Sequence, residues 1–246
     1  LTAYYNENDP KAAAWLRDLI LVGAIAEGYV DERSIEDVTP NDLRGYNQCH
    51  FFAGIGGWSY ALRLAGISDD FPVWTGSCPC QPFSAAGKRN GFADKRHLWP
   101  AWYYLIRECN PLRLIGEQVA TALSWFDLVS TDLEAASYTV GAAVLGAHSV
   151  GAPHIRQRLY WLAHPDDKGL QGRSRARLYA SERLPWASSL VYCTDEKYRP
   201  IPLEPAFFPV ADGVSGRVAA LRGYGNAIVP QVAATFIQAW IECGLN

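Results

Sequence analysis

Phe51-Phe52-Ala53-Gly54-Ile55-Gly56-Gly57 is an apolar run that breaks into three glycines, and it is followed at once by the helical pattern Trp58-Ser59-Tyr60-Ala61-Leu62-Arg63-Leu64-Ala65-Gly66. A strand, a tight turn and a helix are expected there. Glycines let a backbone approach a ligand closely, and the unpaired N–H groups at the start of the helix suit a nucleotide-like ligand. Such a turn is weak evidence alone, so the rest of the chain has to supply its context.

On either side, apolar and β-branched runs predict strands at Ala3–Asn6, Gln48–Ala53, Val73–Gly76, Leu112–Gly116, Thr139–Leu145 and Arg158–Ala163. They alternate with helical patterns at Pro10–Val22, Gly57–Gly66, Leu98–Cys109, Ser124–Ser137 and Pro230–Gly244. Alternation of this kind reads as an α/β fold with a mainly parallel sheet. From Asp166 to about Pro209 the rhythm stops, and arginines, prolines and tyrosines follow without a period. The organisation expected is one α/β domain over residues 1–164 and 210–246, with a small appended region at 165–209.

With 246 residues, 49% of them hydrophobic, the chain can bury a sizeable core. No apolar run approaches the ~20 residues that span a bilayer, and no signal-peptide pattern opens the chain. A cytoplasmic protein is expected, in a bacterial, phage or prophage setting. The six cysteines have no regular spacing and no C-x-x-C pair, which fits free thiols and offers no metal site. A net charge of −3 requires any nucleic-acid contact to be made by a local basic face.

Four further stretches carry chemistry: Gly76-Ser77-Cys78-Pro79-Cys80-Gln81-Pro82-Phe83-Ser84, Gly116-Glu117-Gln118-Val119, Arg156-Gln157-Arg158 and Gly225-Asn226-Ala227-Ile228-Val229-Pro230. Together with the glycine turn, they resemble the hallmarks of the DNA cytosine carbon-5 methyltransferases over nearly the whole chain. The resemblance implies a Rossmann-like fold, S-adenosylmethionine as cofactor and double-stranded DNA as partner. It also implies methyl transfer to carbon 5 of a flipped-out cytosine through a covalent cysteine adduct.

By that resemblance Cys80 is the nucleophile, acting as a thiolate. Glu117 is the carboxyl group at ring nitrogen 3, and Arg158 and Arg156 are the arginine pair, Arg158 being the one that contacts the base. Cys78 is expected to point the opposite way from Cys80 and to pack. Gln118 stands where most members carry asparagine, and His154 stands where the family's leading glutamine would, either as a contact or as a surface histidine. The cofactor set implied is Glu7, Asn8, Asp31, Phe52, Gly54, Gly56, Gly57, Pro79, Leu98 and Asn226. Glu7 would bind the ribose hydroxyls and Asp31 the adenine amino group. Gln81, Ser84, Lys88 and Arg89, on a loop with hinge glycines, would contact DNA. Arg173, Arg175 and Arg177 are either phosphate or base contacts or a solvated loop.

Motif order departs from the family. The stretch between Gly57 and Cys80 is too short for the ribose and adenine strands, and segments resembling them lie ahead of the glycine turn, at Ala3–Ala13 and Val30–Val38. A circularly permuted order is therefore expected. In it either the helix after the turn changes face or its crossover becomes left-handed. The resemblance implies that 165–209 is a small target-recognition region, which a partner subunit could complete; the rival functions are an RNA cytosine methyltransferase on the same scaffold and a non-catalytic DNA-binding relative.

Overall fold

The computed structural model describes residues 2–79, 98–152, 154–165 and 227–243, together with the backbone of 192–194 and 200–202. Seven strands form one sheet: β1 (Ala3–Asn6), β2 (Gly28–Asp31), β3 (Gln48–Phe51), β4 (Val73–Gly76), β5 (Leu114–Val119), β6 (Tyr138–Gly146) and β7 (Gln157–Pro165). Their order is β2-β1-β3-β4-β5-β7-β6. Pairing is parallel from β2 to β5, and β7 runs antiparallel to both neighbours. The helices are α1 (Pro10–Leu21), α2 (Gly57–Leu64), α3 (Trp99–Cys109), α4 (Leu123–Ala135) and α5 (Pro230–Glu242). This is the mixed, mostly parallel α/β architecture expected from the sequence.

Two pairings were not foreseen. β2 is only four residues, Gly-Tyr-Val-Asp, too short to show a period, and it is fixed by its ladder with β1. A short hairpin of β8 (Tyr192–Thr194) and β9 (Pro200–Pro202) forms within the stretch read as aperiodic.

The sheet is covered on both faces, as parallel sheets are. Trp74 and Leu114 face α3 and α4, in a core holding Trp99, Trp102, Trp125 and Trp161. Val73 and Ile115 face the other way, toward α2 and α5. α1 lies on the α2 face, because Tyr5 packs with Ala13 and Leu16 and its hydroxyl donates to Ser59 Oγ of α2 at 3.0 Å. β3 to β4 and β4 to β5 step the same way across the sheet through helices on opposite faces, so these two crossovers have opposite hands. β1 to β2 steps back on the α2 face and shares its hand with β4-α3-β5. That shared hand is the right-handed one that nearly all such units adopt, which leaves β3-α2-β4 as the left-handed exception. Of the two possibilities raised by the motif order, the structure has the left-handed crossover.

α1 starts where Asp9 Oδ1 accepts from Lys11 N at 2.8 Å and Ala12 N at 3.1 Å, with Pro10 supplying the fixed φ of the first turn. The four described cysteines, Cys49, Cys78, Cys109 and Cys243, are free thiols. Among the described residues no helix is long and apolar enough to cross a membrane, and no group of three or more His, Cys, Asp or Glu could hold a metal ion.

Candidate active site

Functional side chains gather beyond the carboxyl ends of the parallel strands, where α/β sheets place their ligands. β3 ends at Phe51 and the chain turns through Phe52 (φ 52°), Gly54 (φ 56°) and Gly56 (φ 77°) before α2 begins at Gly57. At two of these three left-handed positions the residue is glycine, which adopts that φ without strain. Gly57 answers a different need, because a Cβ there would stand 2.9 Å from Ile228 Cγ1, just ahead of α5. The glycine turn is thus packed directly against the segment leading into the last helix.

Glu7 follows β1 and lies abreast of this turn. Gly54 N donates to its Oε2 at 2.7 Å and Asp9 N to its Oε1 at 2.9 Å. Burial pushes its carboxyl above the usual range, and the two backbone bonds oppose that. A carboxylate has about four acceptor sites, so capacity remains for a diol. Asn8 beside it is exposed.

Asp31, at the end of β2, is 2% exposed and its acceptors are taken. Tyr4 donates its hydroxyl at 2.6 Å, and Arg33 donates from its backbone N at 3.0 Å and from its guanidinium at 2.6 Å. Burial would raise this carboxyl, but the bonds from Arg33 and Tyr4 outweigh it and hold it below the usual range. Arg33 also reaches Asp42 at 3.2 Å. An adenine amino group would have to displace a guanidinium donor to use Asp31. Neither Arg33 nor Tyr4 was singled out from sequence, although the Asp-x-Arg spacing was the available signal.

The second half of the site lies between β4, β5 and β7. β4 stops at Gly76, and Ser77 is held by Trp58 Nε1 at 3.1 Å. Gln118 Nε2 donates to Cys78 O at 3.2 Å while its Oε1 accepts from Val119 N at 2.9 Å. The longer amide at this position therefore ties the Cys-Pro-Cys segment to β5. Cys78 is 4% exposed and packs in the α3-side core as expected. Strand alternation is not the reason: residues two apart on a strand share a face, and β4 has ended two residues before Cys78.

Glu117 is 7% exposed. It opposes Tyr160 across the β5–β7 ladder, one diagonal step from Arg158, whose Nε donates to its Oε1 at 2.8 Å. Burial raises the Glu117 carboxyl, and the charge of Arg158 and the Ser77 hydroxyl bond pull it back. The result is a buried acid ion-paired with Arg158, also under the charge of Arg156, whose burial still biases it toward keeping a proton.

Gly116 beside it permits Trp161 to lie across β5, since a Cβ there would meet the indole, with Nε1 at 2.5 Å. Arg156 does not join Arg158 on Glu117. Its Nη2 donates to Ala227 O at 2.7 Å, and its φ of 28° kinks the chain just before β7. His154 is exposed near it.

Pro79 is exposed and Leu98 packs on the α3-side core. Cys80, Gln81, Ser84, Lys88, Arg89, Arg173, Arg175, Arg177 and Asn226 lie outside the described residues. A cleft of about 860 Å³ opens between α1, the start of α2 and the start of α5, lined by Trp15, Leu19, Ile55, Tyr60, Arg156 and Ile228 among others. Ile228 was quoted from sequence only as part of the Gly-Asn-Ala run, and its contact with Gly57 is a tertiary fact.

A mostly parallel seven-strand sheet with a glycine turn, an acid at the next strand end and a buried Glu–Arg pair defines a methyltransferase-type α/β protein. The family described as C-5 cytosine-specific DNA methylase matches residues 66–190, half of the sequence, and the chain belongs to that family. It is 30% identical over 176 residues to the type II methyltransferase M.HhaI of Haemophilus parahaemolyticus, covering 55% of this chain and 54% of that protein. It is 41% identical over 54 residues to M.Sau96I of Staphylococcus aureus, covering 22% and 13%. The chain therefore spans about half the length of M.HhaI and less of M.Sau96I. In fold it is similar to the S. pombe Dnmt2 methyltransferase, with a TM-score of 0.54 and 13% identity over 98% of both chains.

Proposed function

We propose that this chain methylates carbon 5 of cytosine in double-stranded DNA, using S-adenosylmethionine, as a modification enzyme of the kind its type II relatives are named for. The observation that carries the reading is the buried Glu117–Arg158 pair at 2.8 Å, roped through Gln118 to the segment that leads into Cys80. Cytosine carbon 5 is a poor nucleophile. A Cys80 thiolate adding to carbon 6 forms a carbon–sulfur bond and pushes an electron pair toward carbon 5. Glu117, inclined by burial to hold a proton, shares it with ring nitrogen 3 as charge develops there, and Arg158 donates to the neighbouring carbonyl oxygen. Once carbon 5 carries the methyl group, loss of its proton to solvent water returns the electron pair to the ring and expels the thiolate. For these groups to reach it, the base has to leave the helix.

S-adenosylmethionine supplies the electrophilic methyl group when bound. Glu7 fits its ribose, with a partly buried carboxylate that uses only two acceptor sites, and the glycine turn beside it gives backbone access. We read the chain order as circularly permuted. The left-handed β3-α2-β4 crossover supports this, because cutting a right-handed fold and rejoining it elsewhere obliges α2 to lead the other way from an unchanged face. The family match beginning at residue 66, downstream of the glycine turn, is in keeping with it.

The test is nucleoside mass spectrometry on DNA from a methylation-free host expressing the chain. 5-Methylcytosine is expected with the wild type and none with Cys80→Ala, which should still bind S-adenosylhomocysteine. Undiminished methylation by Cys80→Ala would overturn the mechanism.

A further inference from the structure

Arg156 links the two halves of the site, and this inference rests on the function proposed above. Along a regular strand Arg156 and Arg158 would share a face, and both would approach Glu117. Instead Ile155 O accepts from Ala147 N at 2.8 Å, Gln157 begins the β6–β7 ladder opposite Gly146, and Arg156 between them takes a φ of 28°. A non-glycine residue in that region is strained and persists only where its surroundings hold it. One hold on it is on the far side of the site: Arg156 Nη2 bonds Ala227 O at 2.7 Å. Ala227 precedes Ile228, which is 6% exposed and seated on Gly57 at the end of the glycine turn. A second link runs the same way, because Tyr160, opposite Glu117 on the ladder, packs edge-on against Trp58 of α2 with ring centroids 6.2 Å apart.

We propose that Arg156 is a positioning residue that fixes the Ala227–Ile228 segment on the glycine turn, so that cofactor affinity depends on a guanidinium carried by the base-contacting strand. Its hydrogen bond sets where Ile228 presses on Gly57, and Gly57 closes the turn whose Gly54 N–H is already bonded to Glu7. The kink sends an Arg156 hydrogen bond to Ala227 while Arg158 makes the ion pair with Glu117, on which the Arg156 charge also acts. The two arginines therefore divide the work, one serving the base and the other the cofactor-side backbone.

The experiment compares wild type, Arg156→Met and Arg156→Lys. S-adenosylhomocysteine binding is measured by calorimetry, and steady-state kinetics are measured on unmethylated duplex DNA. Methionine keeps most of the aliphatic stem and removes the donor; lysine restores one donor. Expected for Arg156→Met is roughly a tenfold loss of S-adenosylhomocysteine affinity, within the usual range of coupling between sites. A matching rise in KM for S-adenosylmethionine is expected, with kcat within about threefold, as is largely recovered affinity in Arg156→Lys.

Unchanged S-adenosylhomocysteine affinity in Arg156→Met, with kcat lowered or the DNA KM raised, would overturn the proposal and make Arg156 a DNA-side residue. Equal losses in the methionine and lysine variants would also overturn it. Ile228→Val trims the same contact with little risk to folding. It should raise the cofactor KM about threefold without moving kcat, and no change there would likewise count against the proposal. If the wild type itself fails to bind S-adenosylhomocysteine, the functional reading falls rather than the role of Arg156.

Discussion

Acid should destabilise this protein through one buried histidine. His50 on β3 is 1% exposed, stacked on the Tyr5 ring at 4.9 Å between centroids, with Nδ1 2.7 Å from Thr75 Oγ1 and Nε2 3.2 Å from Gln48 Oε1. Gln48 commits its amide nitrogen to Ser68 O, so its oxygen faces the imidazole and Nε2 is the donor. Burial pulls His50 from 6.5 down to about 3, and only the charge of Asp69, already engaged by Arg63 at 2.7 Å, pulls the other way.

Between those two values the unfolded chain takes up a proton that the folded chain refuses, so stability falls as pH falls. At ~1.36 kcal/mol per pH unit, moving from pH 7 to pH 5 should remove about 2 kcal/mol. Asp31, Asp42 and Asp69, all held low, keep their charge in both states over most of this window, while Glu7 and Glu117, held high, act in the opposite sense. The difference between wild type and His50→Gln cancels those terms. Urea unfolding at both pH values should show the wild type losing about 2 kcal/mol more than the variant. Parallel losses would refute the reasoning.

Two other perturbations test the site itself. Gly116→Ala puts a methyl group into the Trp161 indole and should cost about 1–3 kcal/mol in thermal or chemical unfolding, with a larger fall in kcat because Glu117 is the next residue; an unchanged melting temperature would mean that Trp161 moves aside freely. Glu7→Ala removes the acceptor of Gly54 N and Asp9 N and should weaken S-adenosylhomocysteine binding by 10-fold or more on calorimetry, one decade being ~1.4 kcal/mol; unchanged binding would take the ribose role away from this residue.

Much of the sheet was legible because its signals are local. Val73–Gly76 was found with its bounds intact, and so was Ala3–Asn6, since each is a short apolar run flanked by turn residues. The β5–β7 corner was legible only through the family resemblance of the Gly-Glu-Gln-Val and Arg-Gln-Arg runs, and the structure brings Glu117 and Arg158 of those runs together at 2.8 Å. β2 was missed as a strand because four residues starting with glycine carry no period, and pairing with β1 supplies what propensity lacks. The occupancy of Asp31 was missed because a site acid and an ion-paired acid look alike until Tyr4, 27 residues away, arrives beside it.

What sequence could not yield is a relation between elements rather than a property of any one. The left-handed crossover leaves no mark on α2, whose residues would read the same with either hand. It emerges only once Val73 and Trp74 are assigned to opposite cores and Tyr5 is found bonded to Ser59. The left-handed crossover places α2 on the same face of the sheet as α1 and α5. The face of α2 is committed twice, to Ile228 through Gly57 and to Ser77 through Trp58, and both commitments end in the site. The packing of α2 on this face is therefore tied to the candidate site at both ends, whichever hand its crossover takes.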